Sequence, residues 1–154
     1  MKKEITLSKR EEIQALQDVL IAKADGENIE GNGNHIVHSD NFPLKHAFAD
    51  GVYIRQMDMN AGSAVVGAIH NHSHVWFLLT GYLAVATEDN VEEFIAPCYV
   101  VAKPGSKRVI YAIEDSIFVN IHKNPENIKD IKELEAEIVS LTFKDYEEYI
   151  NKNK

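Results

Sequence analysis

Hydrophobic residues fall at helical spacing near both ends of this chain and at strand spacing through its middle. Ile13, Leu16, Leu20 and Ala24 recur every three or four positions behind Ser8 and Glu11, which form a capping box, and this predicts a helix over 8–24. Asp25-Gly26-Glu27-Asn28 and Gly31-Asn32-Gly33-Asn34 then supply turn residues. From about 51 to 122 the pattern becomes short runs rich in Val, Ile, Tyr and Phe. Strands are predicted over 52–59, 64–70, 75–80, 82–87, 92–95, 99–102, 108–113 and 117–122, parted by turn residues such as Gly81, Ala96-Pro97, Pro104-Gly105 and Glu114-Asp115. Short strands at this spacing indicate a sandwich or barrel. Helix returns over 124–151. Asn124 and Pro125 are read as N-cap and first turn of one helix striped by Ile128, Ile131, Leu134 and Ile138, and a second starts after Thr142 with Asp145 completing its cap and Tyr146 and Tyr149 on one face. The expectation is a single domain over 1–154, an all-β core between helices.

Composition narrows the role. At 154 residues the chain can bury a core without disulfide or metal staples. The single cysteine, Cys98, sits in an apolar run and reads as a small buried hydrophobe. With 24 acidic against 16 basic residues, the net charge is -8. Phosphate backbones need a positive footprint, so nucleic acid is not expected as a partner. No apolar run approaches the ~20 residues of a membrane span, and Met1-Lys2-Lys3 leads into polar residues rather than an apolar signal core. A cytoplasmic protein without a membrane partner is expected.

The candidate chemistry lies in His70-Asn71-His72-Ser73-His74. On an extended backbone residues two apart share a face, so the three imidazoles of such a run can meet at one point. Imidazole is the commonest side-chain ligand for zinc, iron, nickel and copper. A solvated histidine-rich turn has the same spelling.

Taken with the apolar run Val75-Trp76-Phe77-Leu78-Leu79-Thr80, the turn residue Gly81 and the later Pro104-Gly105, this segment resembles the two motifs of the cupin superfamily. The resemblance has departures. His74 stands seven before Gly81, where the first motif carries a glutamate, and Arg108 stands three after Gly105, where the second carries a histidine. The pair His70 and His72 is also too close to His74 for both to fill their usual slots. The chain is further similar, over about 42–131, to small cupin-like proteins of bacteriophages and prophages. The shared blocks are Phe48-Ala49-Asp50-Gly51-Val52-Tyr53-Ile54-Arg55, Gly67-Ala68-Ile69-His70 with His74, Thr87-Glu88-Asp89, Pro104-Gly105-Ser106-Lys107-Arg108, Tyr111-Ala112-Ile113-Glu114-Asp115 and a closing strand ending at His122. The fold this implies is a cupin-type antiparallel double-sheet barrel, or jelly roll, with an N-terminal helix and C-terminal helices. A fold of this kind hosts many activities.

If Glu114-Asp115 is a hairpin turn, antiparallel pairing sets His122 opposite Lys107 or Arg108, close to the place the missing second-motif histidine would occupy. The expected metal ligands are therefore His70, His74 and His122, with His72 as a fourth ligand or an outer group. Arg108 is a candidate clamp for a carboxylate or phosphate, with Tyr111 and Asn120 on nearby strands. His35, His38 and His46 precede the barrel and are weaker candidates, and Trp76 reads as core packing. The resemblance implies one divalent transition metal, with iron, zinc, nickel and manganese equally compatible, and a small polar or anionic molecule in the barrel. As an enzyme the chain would carry dioxygenase, lyase or isomerase chemistry. The alternatives are a non-catalytic binding protein that captures a small molecule, or a phage structural or assembly protein pinned by a metal. Cupin relatives also imply a homodimer, and a phage origin would place the protein in the host cytoplasm.

Overall fold

A computed structural model describes residues 10–13, 15, 43–140 and 142–154. Residues 10–13 and 15 are helical; the rest of the predicted 8–24 helix, with Ser8, Leu16, Leu20 and Ala24, lies outside the described residues, as do His35 and His38. Ten strands follow in order: β1 (Leu44–Ala49), β2 (Val52–Met59), β3 (Ala64–Val66), β4 (Ile69–His70), β5 (His74–Thr80), β6 (Tyr82–Ala86), β7 (Val91–Ile95), β8 (Cys98–Ala102), β9 (Val109–Ala112) and β10 (Ser116–Lys123). The chain closes with α1 (Ile131–Ile138), β11 (Val139–Ser140) and α2 (Phe143–Lys152).

Two antiparallel sheets face each other. The larger runs β1-β2-β10-β5-β8 and the smaller β3-β9-β6-β7, while β11 pairs with β4 beside them. Alternation decides what enters the interior. Register places Phe118 opposite both Met57 and Leu78, and Asn120 opposite both Arg55 and Trp76. Met59, Trp76, Leu78 and Phe118 from the larger sheet meet Leu83, Val85, Ile110 and Ala112 from the smaller in one buried cluster. Each large apolar side chain sealed there contributes on the order of 1.5–3 kcal/mol of transfer free energy. The result is the expected jelly-roll barrel with helical segments at both ends of the chain.

Helix α1 closes one end. Asp130 caps it by accepting from the Glu133 N–H at 2.9 Å, and Leu134 and Ile138 pack on Tyr53, flanked by Phe48 and Ile131. Arg55, inside the barrel, pairs with Glu135 of this helix. The predicted helix start at Asn124-Pro125 is corrected by this geometry. Asn124 instead ties down a loop, accepting from Ile128 N at 3.0 Å and donating to Ile128 O at 2.9 Å. The second helix follows expectation, with Thr142 accepting from the Asp145 N–H at 3.1 Å.

Other expectations also change. The barrel begins before residue 51, because β1 adds an edge strand whose inward side chains include His46 and Phe48. The single strand expected over 64–70 breaks at Gly67-Ala68, where the Gly67 N–H donates to Arg108 O at 2.8 Å. Most consequentially, β9 and β10 do not pair as a hairpin. Glu114-Asp115 carries the chain from one sheet to the other, and β10 lies between β2 and β5. With Phe118 turned inward and Ile117, Val119 and Ile121 on its other face, β10 has apolar residues on both sides and suits a central position.

Gly81, the glycine of the first motif, turns β5 into β6 at φ 98°, where a Cβ would collide with Ser116 and with the Asp115 carbonyl. Gly81→Ala should therefore cost more than about 2 kcal/mol. A lowered urea midpoint with an unchanged slope is the expected signature in chemical unfolding.

Candidate ligand site in the barrel

Three of the four predicted ligand histidines come together. His70 ends β4, His74 begins β5 and His122 lies near the end of β10, with ring centroids 3.9 Å apart for His70 and His74, 4.9 Å for His74 and His122, and 5.4 Å for His70 and His122. They do not meet by alternation along one strand. The chain bends at Asn71 to Ser73, and this fold-back brings the fifth residue of the run beside the first. Backbone bonds hold the bend. The His70 N–H donates to Ser106 O at 3.2 Å, Gly105 N–H to His70 O at 2.8 Å, and Asn71 N–H to Ile138 O at 2.7 Å. The Pro104-Gly105 turn of the second motif thus clasps the first-motif histidine. His122 arrives opposite Tyr53 on β2 rather than opposite Lys107 or Arg108, so the cross-strand reason given for it is wrong even though its ring reaches the cluster.

His72 is separated from the other three. It lies on the bend, with Nε2 3.0 Å from the Tyr149 hydroxyl of α2. Tyr111 also departs from expectation: it faces outward on β9, 45% exposed, because the adjacent inward positions belong to Ile110 and Ala112. Trp76 is core, as predicted, and Cys98 is half-buried against the same cluster.

Arg108 occupies the middle of the barrel with only 5% of its surface exposed. Its Nη2 lies 3.3 Å from His74 Nε2 and 3.4 Å from Asn120 Oδ1, while Nη1 is buried without a hydrogen-bond partner. The guanidinium carbon sits 5.8 Å from the Trp76 ring centroid and 5.5 Å from that of Phe118. Among the described residues no carboxylate pairs with it. Burial lowers its pKa to about 10, which leaves it charged at neutral pH.

Burial, reinforced by Arg108, holds the imidazoles neutral. It drives His70 well below the ordinary value and His74 to about 3. His122 also falls to about 3, chiefly by burial, then by His74, Arg55 and Arg108. His70 Nδ1 and His74 Nδ1 are buried without a partner at hydrogen-bond geometry. Neutral imidazoles with free nitrogens are the right donors for a transition metal. Their disposition is not that of a metal centre: the rings stack with interplanar angles of 14–27°, and a guanidinium approaches His74 Nε2. Among the described residues no group of three or more His, Cys, Asp or Glu side chains is arranged to hold a metal ion. As placed, the three histidines do not fit one.

An outer layer joins His46, one of the weaker candidates, to Tyr53, which was not foreseen. The Tyr53 hydroxyl lies 2.6 Å from His46 Nδ1, and its ring stacks on His122 with centroids 5.9 Å apart. Burial raises the Tyr53 pKa to about 12. The alternation of His46 with Phe48, and of Tyr53 with Arg55, was the available signal for these inward positions.

No protein-family model matches the chain, and no curated protein matches it in sequence. Solved structures do match in fold. KdgF from Halomonas sp. superposes with a TM-score of 0.51 at 14% identity, over 66% of this chain and 94% of that one. An RmlC-like cupin from Shewanella frigidimarina NCIMB 400 gives 0.50 at 14% identity, over 70% and 91%. A cupin superfamily protein from Desulfitobacterium hafniense DCB-2 gives 0.50 at 12% identity, over 65% and 98%. At these identities the likeness defines architecture: the chain has the cupin fold. Among the described residues no helix is long and apolar enough to cross a membrane.

The neutral histidines predict a stability profile. Their folded pKa values lie below the unfolded value of about 6.5, so under pH ~6.5 the unfolded chain binds protons that the folded site refuses. Stability should be flat above that pH and fall as pH drops toward 3. Thermal midpoints measured from pH 8 to 4 should show this decline, and His122→Asn should make it shallower.

Proposed function

We propose that this cupin-fold protein binds a small anionic molecule inside its barrel, with Arg108 as the anchor and Asn120 and the neutral imidazoles of His70, His74 and His122 as its polar surroundings. One observation carries the reading: the guanidinium is buried, one of its terminal nitrogens has no partner, and no described carboxylate balances it. Leaving a buried charge uncompensated costs several kcal/mol, and an anionic ligand removes that cost. Arg is also the side chain suited to planar two-point recognition of a carboxylate.

The test exploits the same cost. Arg108→Met removes the charge and retains bulk, so the variant without ligand should be as stable as the parent or more so. In the parent, a small anion such as acetate or inorganic phosphate at about 100 times its dissociation constant should add about 2–3 kcal/mol, several degrees in thermal midpoint. Arg108→Met should lose that shift. An equal shift in both proteins at matched ionic strength would remove Arg108 from the site and the proposal with it.

A second reading retains the expected divalent metal on His70, His74 and His122. The unpartnered Nδ1 of His70 favours it, while the lone pair of His74 already faces the donor-only guanidinium at Nε2. It requires the rings to turn and Arg108 Nη2 to leave His74 Nε2. When bound, such a metal would supply a Lewis acid for a polar substrate, the chemistry an enzymatic role would use, or would serve only to pin the barrel. Elemental analysis of untagged protein prepared near pH ~7.5 decides the matter. On this reading at least about 0.5 equivalents of one transition metal are found, His70→Ala and His122→Ala lose it equally, and Arg108→Ala retains it. Metal-free protein that also takes up none on titration with zinc or ferrous iron ends the reading. The proposed dimer is tested separately by sedimentation.

A further inference from the structure

Arg108 and Trp76 also line a cavity of about 520 Å³ that opens between the two sheets, away from the histidine cluster. That is a small-molecule volume. Acetate or phosphate would fill only a few waters' share of it, on the order of 100 Å³ at ~30 Å³ per water. The walls next to Arg108 are apolar: Trp76, Val85, Phe94 and Val100. Trp76 at 1% and Val85 at 4% exposure are packed in the core and form the floor of the cavity, so Phe94 and Val100 carry most of the apolar surface it presents.

The charge around the cavity is nearly balanced. Three cationic residues, Arg10, Lys103 and Lys107, share the lining with three carboxylates, Glu88, Asp89 and Glu92. Arg10 is engaged with Glu88 and lies 4.5 Å from the Phe143 ring centroid. Among the described lining residues, what remains in excess by count is the single charge of Arg108. With Trp76 and Phe118 within cation–π distance of the guanidinium, its in-plane donors are the groups left for an oxygen ligand.

We infer that the ligand is a small amphiphilic monocarboxylate, its carboxylate on Arg108 and its aryl or alkyl body in the cavity against Phe94 and Val100, over the floor made by Trp76 and Val85. This rests on the anion reading above and adds the chemistry of the rest of the molecule. A second negative group meets no further excess of cations among the described lining residues. A polyol finds four apolar walls.

Calorimetric titration of the full chain tests it with benzoate, cyclohexanecarboxylate and hexanoate set against acetate, inorganic phosphate and benzamide. At least one of the three amphiphilic acids should bind tenfold or more tighter than acetate and phosphate, and benzamide should not compete. Phe94→Ser should weaken that acid several-fold and leave acetate unchanged. Phe94→Leu, which retains an apolar wall, serves if the serine variant does not fold and should stay within about twofold of the parent. Acetate or phosphate binding as tightly as every amphiphilic acid overturns this inference and leaves the anion reading intact. Benzamide binding as tightly as benzoate, or no binding of any anion, overturns both.

Discussion

Strand β10 is the constraint on which the site depends. It is bonded on one side to β2 and on the other to β5, so its register fixes which side chains from three strands share the interior. A slip of one residue would turn Ile121 toward the cluster and His122 out of it. Both ends are pinned. At the start, the Ser116 hydroxyl donates to Glu114 O at 2.8 Å and accepts from the Tyr82 N–H at 3.1 Å, in the space that Gly81 leaves free. At the far end, the Asn124 N–H donates to Gly51 O at 2.8 Å. The polar cluster survives in an apolar barrel because the strand that carries Asn120 and His122 has no freedom to shift.

Much of this architecture was legible in the sequence because alternation and turn chemistry are local. The strands from β5 to β8 matched their predicted spans to within a residue at either end, and the Thr142 cap of α2 was read correctly. Connectivity between sheets was not legible. Glu114-Asp115 is equally suited to a hairpin and to a crossover, and the choice belongs to β10, whose two apolar faces need neighbours on both sides. Strand β1 was passed over because Lys45 and His46 interrupt a weakly apolar run, although its period is clear once β2 is beside it. The histidines were found by residue type while the reason given for their meeting was wrong: a bend, not an extended run, unites His70 and His74 and expels His72. Nothing local distinguishes the buried Arg108 from an exposed one, since its guanidinium is surrounded by His74, Trp76, Phe118 and Asn120 from β5 and β10, strands distant in sequence.

The interior chemistry follows from how its charges are handled. Arg55 enters the barrel with a counter-ion supplied by α1, Glu135, and so adds no net charge. Arg108 enters without one among the described residues. Three imidazoles in its neighbourhood stay neutral, which spares the interior further positive charge, and the one nearest the guanidinium, His74, turns a ring nitrogen toward it.

The guanidinium also separates the two readings of this site. With Arg108 Nη2 at 3.3 Å from His74 Nε2, a divalent ion held by that nitrogen at ordinary coordination distance would lie within about 5 Å of a fixed positive charge. The repulsion would be on the order of 7 kcal/mol at an effective dielectric of about 20, more than most single contacts return. The metal reading therefore needs Arg108 to move away from His74, whereas the anion reading uses the guanidinium where it stands.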